Sequence, residues 1–276
     1  MKYLNGSEIA GFIKERQAKQ VRSLSQAKGI NLQLNIISCG DNLANKKYTS
    51  IKQKYGEDIG AEVIVHECTQ TEAVNLIEKL NKDPLASGII VQLPLPEPSE
   101  TENIVNHIKP EKDVDSLVAN NEHYDSATAT AIMWLLAGYN IELGKGNQIV
   151  VVGHGRLVGK PLVKMWKNTE YNVLTVDKQT EGLGDKIAQA DIIISATGVP
   201  GLITADMVKA DAVIVDAGVA TDSNGLIGDV AAEVREFPDI AITPQKGGVG
   251  PLTVAALFDN VIRAARSEAM THASAK

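Results

Sequence analysis

Tyr48 and Lys52 stand four residues apart in a stretch with helical patterning, so their side chains share one face of a helix. A tyrosine beside a lysine offers proton transfer, provided the amine is brought well below its ordinary pKa of about 10.4. Burial or a cationic substrate nearby would do that. The same spacing also suits an ordinary amphipathic helix. Gln92 closes the apolar run that begins at Gly88 and precedes Leu93-Pro94-Leu95-Pro96, which can continue neither strand nor helix. Polar groups at the carboxyl end of a parallel strand commonly line a ligand crevice, although a glutamine turned into a loop fits equally well. In Lys112-Asp113-Val114-Asp115 the two carboxylates would share a face if the chain were extended. They make a weak metal site, and no metal is expected. Asp115 is better suited to accepting hydrogen bonds from a ligand's amine and ring N–H edge.

A second kind of chemistry resides in glycines. The turn Gly153-His154-Gly155-Arg156-Leu157-Val158-Gly159-Lys160-Pro161 follows the apolar run 149–152 and opens onto a helical pattern. Glycines there let the backbone turn sharply against a pyrophosphate, and the helix directs N–H groups and its positive dipole end at the anion. The spacing, G-x-G-x-x-x-G, is one residue longer than the usual dinucleotide fingerprint. Pro161 suits the first turn of that helix. Asp177 lies 24 residues after Gly153, near the offset of about 20 at which an acid accepts a ribose 2′-OH. A further glycine-rich string, Thr243-Pro244-Gln245-Lys246-Gly247-Gly248-Val249-Gly250-Pro251-Leu252-Thr253, enters a helix with Thr253 as its cap.

Positioning these groups requires alternating strands and helices. Ser7 would cap a first helix ending near Gly29, followed by a strand at 32–37, a helix at 45–59, strands at 62–65 and 88–92, and a helix at 71–80 between them. Strands at 149–152, 172–176, 191–195, 212–216 and 240–242 follow, with helical stretches between most of them. This alternation predicts an α/β protein of two domains, each a largely parallel sheet with flanking helices, the second Rossmann-like. The expected domains are 1–119 for substrate and catalysis and 120–252 for the dinucleotide. The C-terminal segment 253–276, helical from Thr253 to about Ala269, would pack back on the first.

The chain of 276 residues is long enough for two cores, and its net charge of −7 argues against a broad basic surface for nucleic acid. A small molecule is the expected partner. Two cysteines and five scattered histidines give no disulfide framework or zinc pattern. No stretch resembles a signal peptide or membrane span, so a cytoplasmic protein without membrane association is expected.

Taken in order, Tyr48-x-x-x-Lys52, the string from Gly88 to Pro96, Pro110-Glu111-Lys112-Asp113-Val114-Asp115, the 153–161 turn, Gly228-Asp229-Val230 and the 243–253 loop resemble the bifunctional methylenetetrahydrofolate dehydrogenase/methenyltetrahydrofolate cyclohydrolase family. The resemblance runs from about residue 7 to 265. It implies two linked reactions in a cleft between domains: oxidation of 5,10-methylenetetrahydrofolate by NADP, with NAD a close second, and hydrolysis of the methenyl product to 10-formyltetrahydrofolate. Lys52 would then move the proton, Gln92 orient it, Tyr48 shape the pterin and methylene site, and Asp115 hold the pterin's amine edge. Cofactor contacts would come from Thr128, Gly153, His154, Gly155, Arg156, Val158, Gly159, Asp177, Lys178, Thr197 and Gly198. Gly248, Pro251 and Leu252 would join Tyr48 and Asp115 in contacting the folate. The family is typically a homodimer.

Four departures accompany the resemblance. Ser126-Ala127-Thr128-Ala129-Thr130-Ala131 replaces a Pro-Cys-Thr-Pro-x-Gly segment, which would loosen it. Ser116 replaces a glycine, Gln245-Lys246 replaces Val-Pro, and Gly153-His154-Gly155 replaces a Gly-Arg-Ser whose arginine commonly holds a 2′-phosphate. A protein with only one of the two activities, or a silent nucleotide-binding protein, would use the same fold.

Overall fold

The structure is a computed structural model and describes residues 1–222 and 225–274. In chain order its elements are β1 (Lys2–Tyr3), α1 (Gly6–Lys28), β2 (Gln33–Cys39), α2 (Leu43–Ile59), β3 (Glu62–Cys68), α3 (Ala73–Lys82), β4 (Gly88–Val91) and α4 (Thr101–Val105). There follow α5 (Ala127–Gly138), β5 (Gln148–Val152), α6 (Gly159–Trp166), β6 (Asn172–Val176), α7 (Leu183–Ala188), β7 (Ile192–Ser195) and β8 (Val213–Asp216). The chain ends with β9 (Ala220–Asp222), β10 (Gly225–Ile227), β11 (Ala241–Ile242) and α8 (Val249–Ser274). It divides into two compact units, one of Met1–Ala10 with Thr128–Thr253, the other of Gly11–Ala127 with Val254–Lys276.

The unit containing Gly11–Ala127 is built on a three-stranded parallel sheet in the order β3-β2-β4. Every residue of the central strand β2 is buried, as a parallel strand covered on both faces requires. On α3, Ala73, Ile77 and Leu80 recur at helical spacing and pack with Ile37, Ile89 and Val91. Phe258, fully buried on the later part of α8, stacks on Tyr55 of α2 at 5.1 Å. Burying such a ring contributes about 2–3 kcal/mol. Asn260 donates to the carbonyls of Val114 at 2.9 Å and Asp125 at 3.0 Å, tying α8 to the segment that carries Asp115.

The other unit has a six-stranded, wholly parallel sheet ordered β1-β11-β8-β7-β5-β6. From β5 the chain moves outward to β6, then returns past β5 to β7 and β8. The direction of winding therefore reverses at β5 and β7, and ligands of such sheets bind beyond the strand carboxyl ends at that reversal. The short pair β9 and β10 is antiparallel.

Several sequence expectations need adjustment. Strand β1 has two residues, both exposed, and therefore carried no apolar signal; it pairs with β11 and brings residues 1–10 into the dinucleotide-type unit. The change of unit comes at Ala127 rather than at 119. Asn5, not Ser7, caps α1, its Oδ1 accepting the Ser7 N–H at 3.1 Å. Helix α8 begins at Val249, so Thr253 lies inside it and its hydroxyl donates to the Val249 carbonyl rather than capping. Pro251 permits the early start because a first-turn proline forfeits no helical hydrogen bond. The altered segment 126–131 is not loose: it forms the start of α5, with Ala127, Ala129 and Ala131 fully buried. Residues 275 and 276 of the expected C-terminal segment lie outside the described residues. Among the described residues no helix is long and apolar enough to cross a membrane.

Candidate active site

Helix α2 presents Tyr48 and Lys52 on one face, and β4 delivers Gln92 at its carboxyl end, where the Gln92 N–H still donates to Ile37 of β2 at 2.9 Å. The Lys52 ammonium donates to Gln92 Oε1 at 2.8 Å. Gln92 in turn donates through Nε2 to the Leu93 carbonyl at 3.0 Å, which fixes the amide with its oxygen towards the lysine. Asn45, on the same helix, donates to the Pro94 carbonyl at 3.1 Å and ties α2 to the β4 exit. Lys52 and Asp115 keep part of their surface open yet sit deep among protein atoms. Burial lowers the Lys52 pKa, opposed in part by the negative charge of Asp115. Burial pushes the Asp115 carboxyl up to about 6, with Lys52 pulling it down and Asp113 pushing it further up. Desolvation alone raises the Tyr48 pKa.

The expectation that Asp113 and Asp115 share an extended face is overturned. The chain turns there, with the Ser116 N–H donating back to the Asp113 carbonyl at 3.2 Å and Ser116 at φ 56. The turn assigns the two acids different tasks. Asp113 is fully buried and accepts from the Leu117 and Val118 N–H groups and from Asn121 Nδ2, at 3.0, 2.8 and 2.8 Å. It holds the loop in shape, which leaves Asp115 as the carboxylate whose charge acts on Lys52.

In the other unit the 153–161 turn leaves β5 at the winding reversal. Gly153 has φ 111, and a Cβ there would stand 2.8 Å from the Ala196 carbonyl oxygen. A Cβ on Gly159 would lie 1.9 Å from the Gly153 carbonyl oxygen, so the turn closes only because that residue has no side chain. Helix α6 starts after Val158 without a side-chain cap, as an anion-receiving helix start should. These features fit a dinucleotide pyrophosphate. His154 Nδ1 meets Asp177 Oδ2 at 3.2 Å, and Asp177 Oδ1 accepts from the Gln179 N–H at 2.9 Å and the Thr180 hydroxyl at 3.1 Å. Those hydrogen bonds, the Gln179 one foremost, hold the Asp177 pKa below its usual value.

The remaining expected site residues divide. Thr197 and Gly198 lie just past β7, at the reversal, with Gly198 at φ 69. Lys178 follows Asp177 directly, and half-buried Thr128 lies in the first turn of α5. Leu252 is fully buried and Gly248 is buried, its carbonyl oxygen 1.9 Å from where a Gly6 Cβ would stand; both serve the packing of the loop against the chain start. Pro251 is half-buried. The sequence points to Asp229 only through its Gly-Asp-Val string and implies no role for it. Its Oδ2 accepts from Ser195 Oγ and the Thr197 N–H, both at 2.7 Å, and so fixes the loop after β7. Asp216 supports it from β8, accepting from the Asp229 N–H at 3.0 Å and from Arg235 at 3.2 Å. Only contacts between distant strand ends reveal this network.

A doubly wound unit with a glycine turn at its winding reversal, together with a Lys52–Gln92 pair and a nearby Asp115 on a second parallel sheet, is the architecture of a dinucleotide-dependent enzyme. Residues 4–115 match the model of the tetrahydrofolate dehydrogenase/cyclohydrolase catalytic domain, and residues 126–269 that of its NAD(P)-binding domain. A bifunctional protein FolD of Lactobacillus acidophilus is 37% identical, with 97% of this chain and 98% of that protein covered. Among solved structures, the bifunctional methylenetetrahydrofolate dehydrogenase/cyclohydrolase of Campylobacter jejuni is 34% identical at a TM-score of 0.90, covering 97% and 99% of the two chains. The Trypanosoma brucei enzyme, solved with NADP and an inhibitor, is 30% identical at a TM-score of 0.88, covering 96% and 97%. The chain belongs to the tetrahydrofolate dehydrogenase/cyclohydrolase family and is a bifunctional enzyme of that kind; neither a single-activity protein nor a silent binder is favoured.

Proposed function

We propose that this enzyme oxidises 5,10-methylenetetrahydrofolate with NADP in preference to NAD and hydrolyses the resulting methenyl compound to 10-formyltetrahydrofolate, with Lys52 moving the proton. The observation that carries the assignment is the 2.8 Å hydrogen bond from Lys52 to Gln92 in a setting where burial lowers the amine pKa. A bound dinucleotide supplies the acceptor for the hydride leaving the methylene carbon. Gly153 and Gly159 give its pyrophosphate a close approach to backbone, and the uncapped start of α6 adds a favourable dipole.

The oxidised folate is a cation, and its charge disfavours an ammonium beside it, lowering the Lys52 pKa further. Neutral Lys52 takes a proton from water as the water oxygen bonds to the methenyl carbon. It returns that proton to the ring nitrogen as the carbon–nitrogen bond breaks, and the hydroxyl proton leaves to solvent as the formyl carbonyl forms. Gln92 suits the task because a neutral acceptor aims the amine without raising its pKa as a carboxylate would. Asp115 accepts the pterin's amine and N–H edge, and Tyr48 shapes the wall beside it. A cytoplasmic homodimer belongs to this reading on the family resemblance.

The test is a coupled assay that follows reduced nicotinamide and methenyl absorbance separately. Lys52→Met should form reduced nicotinamide while methenyl compound accumulates. Methenyl consumption at the wild-type rate in that variant would remove Lys52 from the mechanism.

A further inference from the structure

We infer that His154 and Asp177 form a proton-gated selector for the 2′ position of the cofactor ribose, admitting a 2′-phosphate when the imidazole is charged and favouring a free 2′-hydroxyl when it is neutral. The inference deepens the proposed function and rests on its dinucleotide assignment.

Asp177 directly follows the strand after the glycine turn, where the ribose of a dinucleotide is read. His154 is the second residue of that turn, and its Nδ1 lies 3.2 Å from Asp177 Oδ2. Both side chains are partly exposed, 49% and 37%, so the pair is open to solvent rather than turned into the core. Asp177 Oδ1 is occupied by Gln179 and Thr180, which leaves Oδ2 to the histidine.

The two protonation states of the imidazole present opposite surfaces. When charged, both nitrogens are donors. Nδ1–H then binds Asp177 and cancels its charge, while Nε2–H is free to donate to a phosphate oxygen. When neutral, with Nδ1–H kept on Asp177, Nε2 becomes an acceptor and the pair carries a net negative charge. That surface repels a 2′-phosphate and accepts a hydrogen bond from a 2′-hydroxyl. Histidine is the side-chain type whose charge ordinarily changes within the range that such a selector would need. The other charged side chains of the surrounding segments are Arg156, Lys160 and Lys164 on the turn and α6, Lys178 and Glu181 after β6, and Asp185 and Lys186 on α7. The loop after β7 that closes on Gly153, residues 196–201, carries no charged side chain.

The test is calorimetric binding of NADP+ and of NAD+ to the full-length enzyme at fixed ionic strength from pH 5.5 to 8.5, with thermal unfolding confirming that each variant is folded. In the wild type, raising the pH should shift the ratio of the two dissociation constants about tenfold towards NAD, the effect of about one pK unit of coupling. The 2′-phosphate itself titrates near pH 6, but it does so with every variant. His154→Gln should therefore retain only that contribution and show a flatter profile. Asp177→Asn should gain NADP affinity at pH 8.5, where the wild-type pair is negative. Parallel profiles for wild type and His154→Gln, or no gain for Asp177→Asn, would overturn the selector while leaving the dinucleotide site standing. Failure of both dinucleotides to bind the folded wild type would overturn the site and the selector together.

Discussion

The two functional regions of this chain are made by opposite means. The turn after β5 works through backbone: Gly153 and Gly159 are required because nothing but hydrogen fits beside the Ala196 and Gly153 carbonyls. The Lys52 region works through side chains drawn from α2, from the end of β4 and from the loop that Asp113 shapes. A backbone site is local and its information sits in one string. A side-chain site is distributed, and each member is set by elements far apart in sequence. Substitutions should therefore fail differently in the two places, the first through geometry and the second through chemistry.

The largest expected effect is chemical. Lys52→Met should lower methenyl hydrolysis by about 10²–10⁴, the usual contribution of a positioned proton-transfer group, with a Tm close to that of the wild type. Next comes Gly159→Ala. One added carbon would stand 1.9 Å from the Gly153 oxygen, so the turn must open. Calorimetry should show dinucleotide affinity falling by at least tenfold, and thermal unfolding should show a loss of about 2–3 kcal/mol, as strained or overpacked positions do. Dehydrogenation should suffer far more than hydrolysis. Equal losses of both activities in Gly159→Ala would erase the distinction between the regions.

The same distinction explains what the sequence made legible. The glycine turn could be read directly, because strand, glycines and Pro161 are contiguous and each has a local reason to be there. The strands beside it were visible as apolar runs, since parallel strands buried on both faces read that way. Strand β1 was not visible: two exposed residues have no pattern, and only pairing with β11 makes them a strand. For Lys52, Gln92 and Asp115 the residues alone left bland readings open, and the family resemblance joined them. The separate tasks of Asp113 and Asp115 escaped both routes, because spacing implied a shared face and a turn at φ 56 parts them. Asp229 escaped because its partners, Ser195 and Thr197, are more than thirty positions away.

A smaller effect should sharpen the side-chain half of the comparison. Asp115, pushed up to about 6 by burial, takes a proton as the pH falls through that value. The acceptor role proposed for it then ends, so wild-type kcat/KM should drop on the acid side of about pH 6, and Asp115→Asn should lack that limb. The stability consequence has a definite sign. The folded pKa is raised from the ordinary aspartate value of 3.8, so the stabilisation is fully present below that value and is lost as the pH rises through about 6. Unfolding measured between pH 4 and 7 should show this decline in the wild type and not in Asp115→Asn. An acid limb near 6 that persists in the variant would assign the titration to another group.

The smallest effect inverts the Gly159 experiment. Ser116 sits in the left-handed region at φ 56, in the turn that separates Asp113 from Asp115. A side chain there costs about 1 kcal/mol relative to glycine, but glycine adds unfolded-state entropy worth about 0.4–1 kcal/mol. The two nearly cancel, so Ser116→Gly should raise the Tm by no more than about 1–2 °C. Its kcat/KM for methylenetetrahydrofolate should stay within about twofold of wild type, because Asp113 grips the loop through Leu117, Val118 and Asn121 regardless of residue 116. Adding one carbon at Gly159 should thus disable a site, whereas removing a whole side chain at Ser116 should barely register. The contrast arises because the glycine turn has backbone oxygens as its walls and the Asp115 loop is fixed by a buried carboxylate. A large loss of activity in Ser116→Gly would mean that the loop around Asp115 is as dependent on backbone conformation as the turn at Gly153.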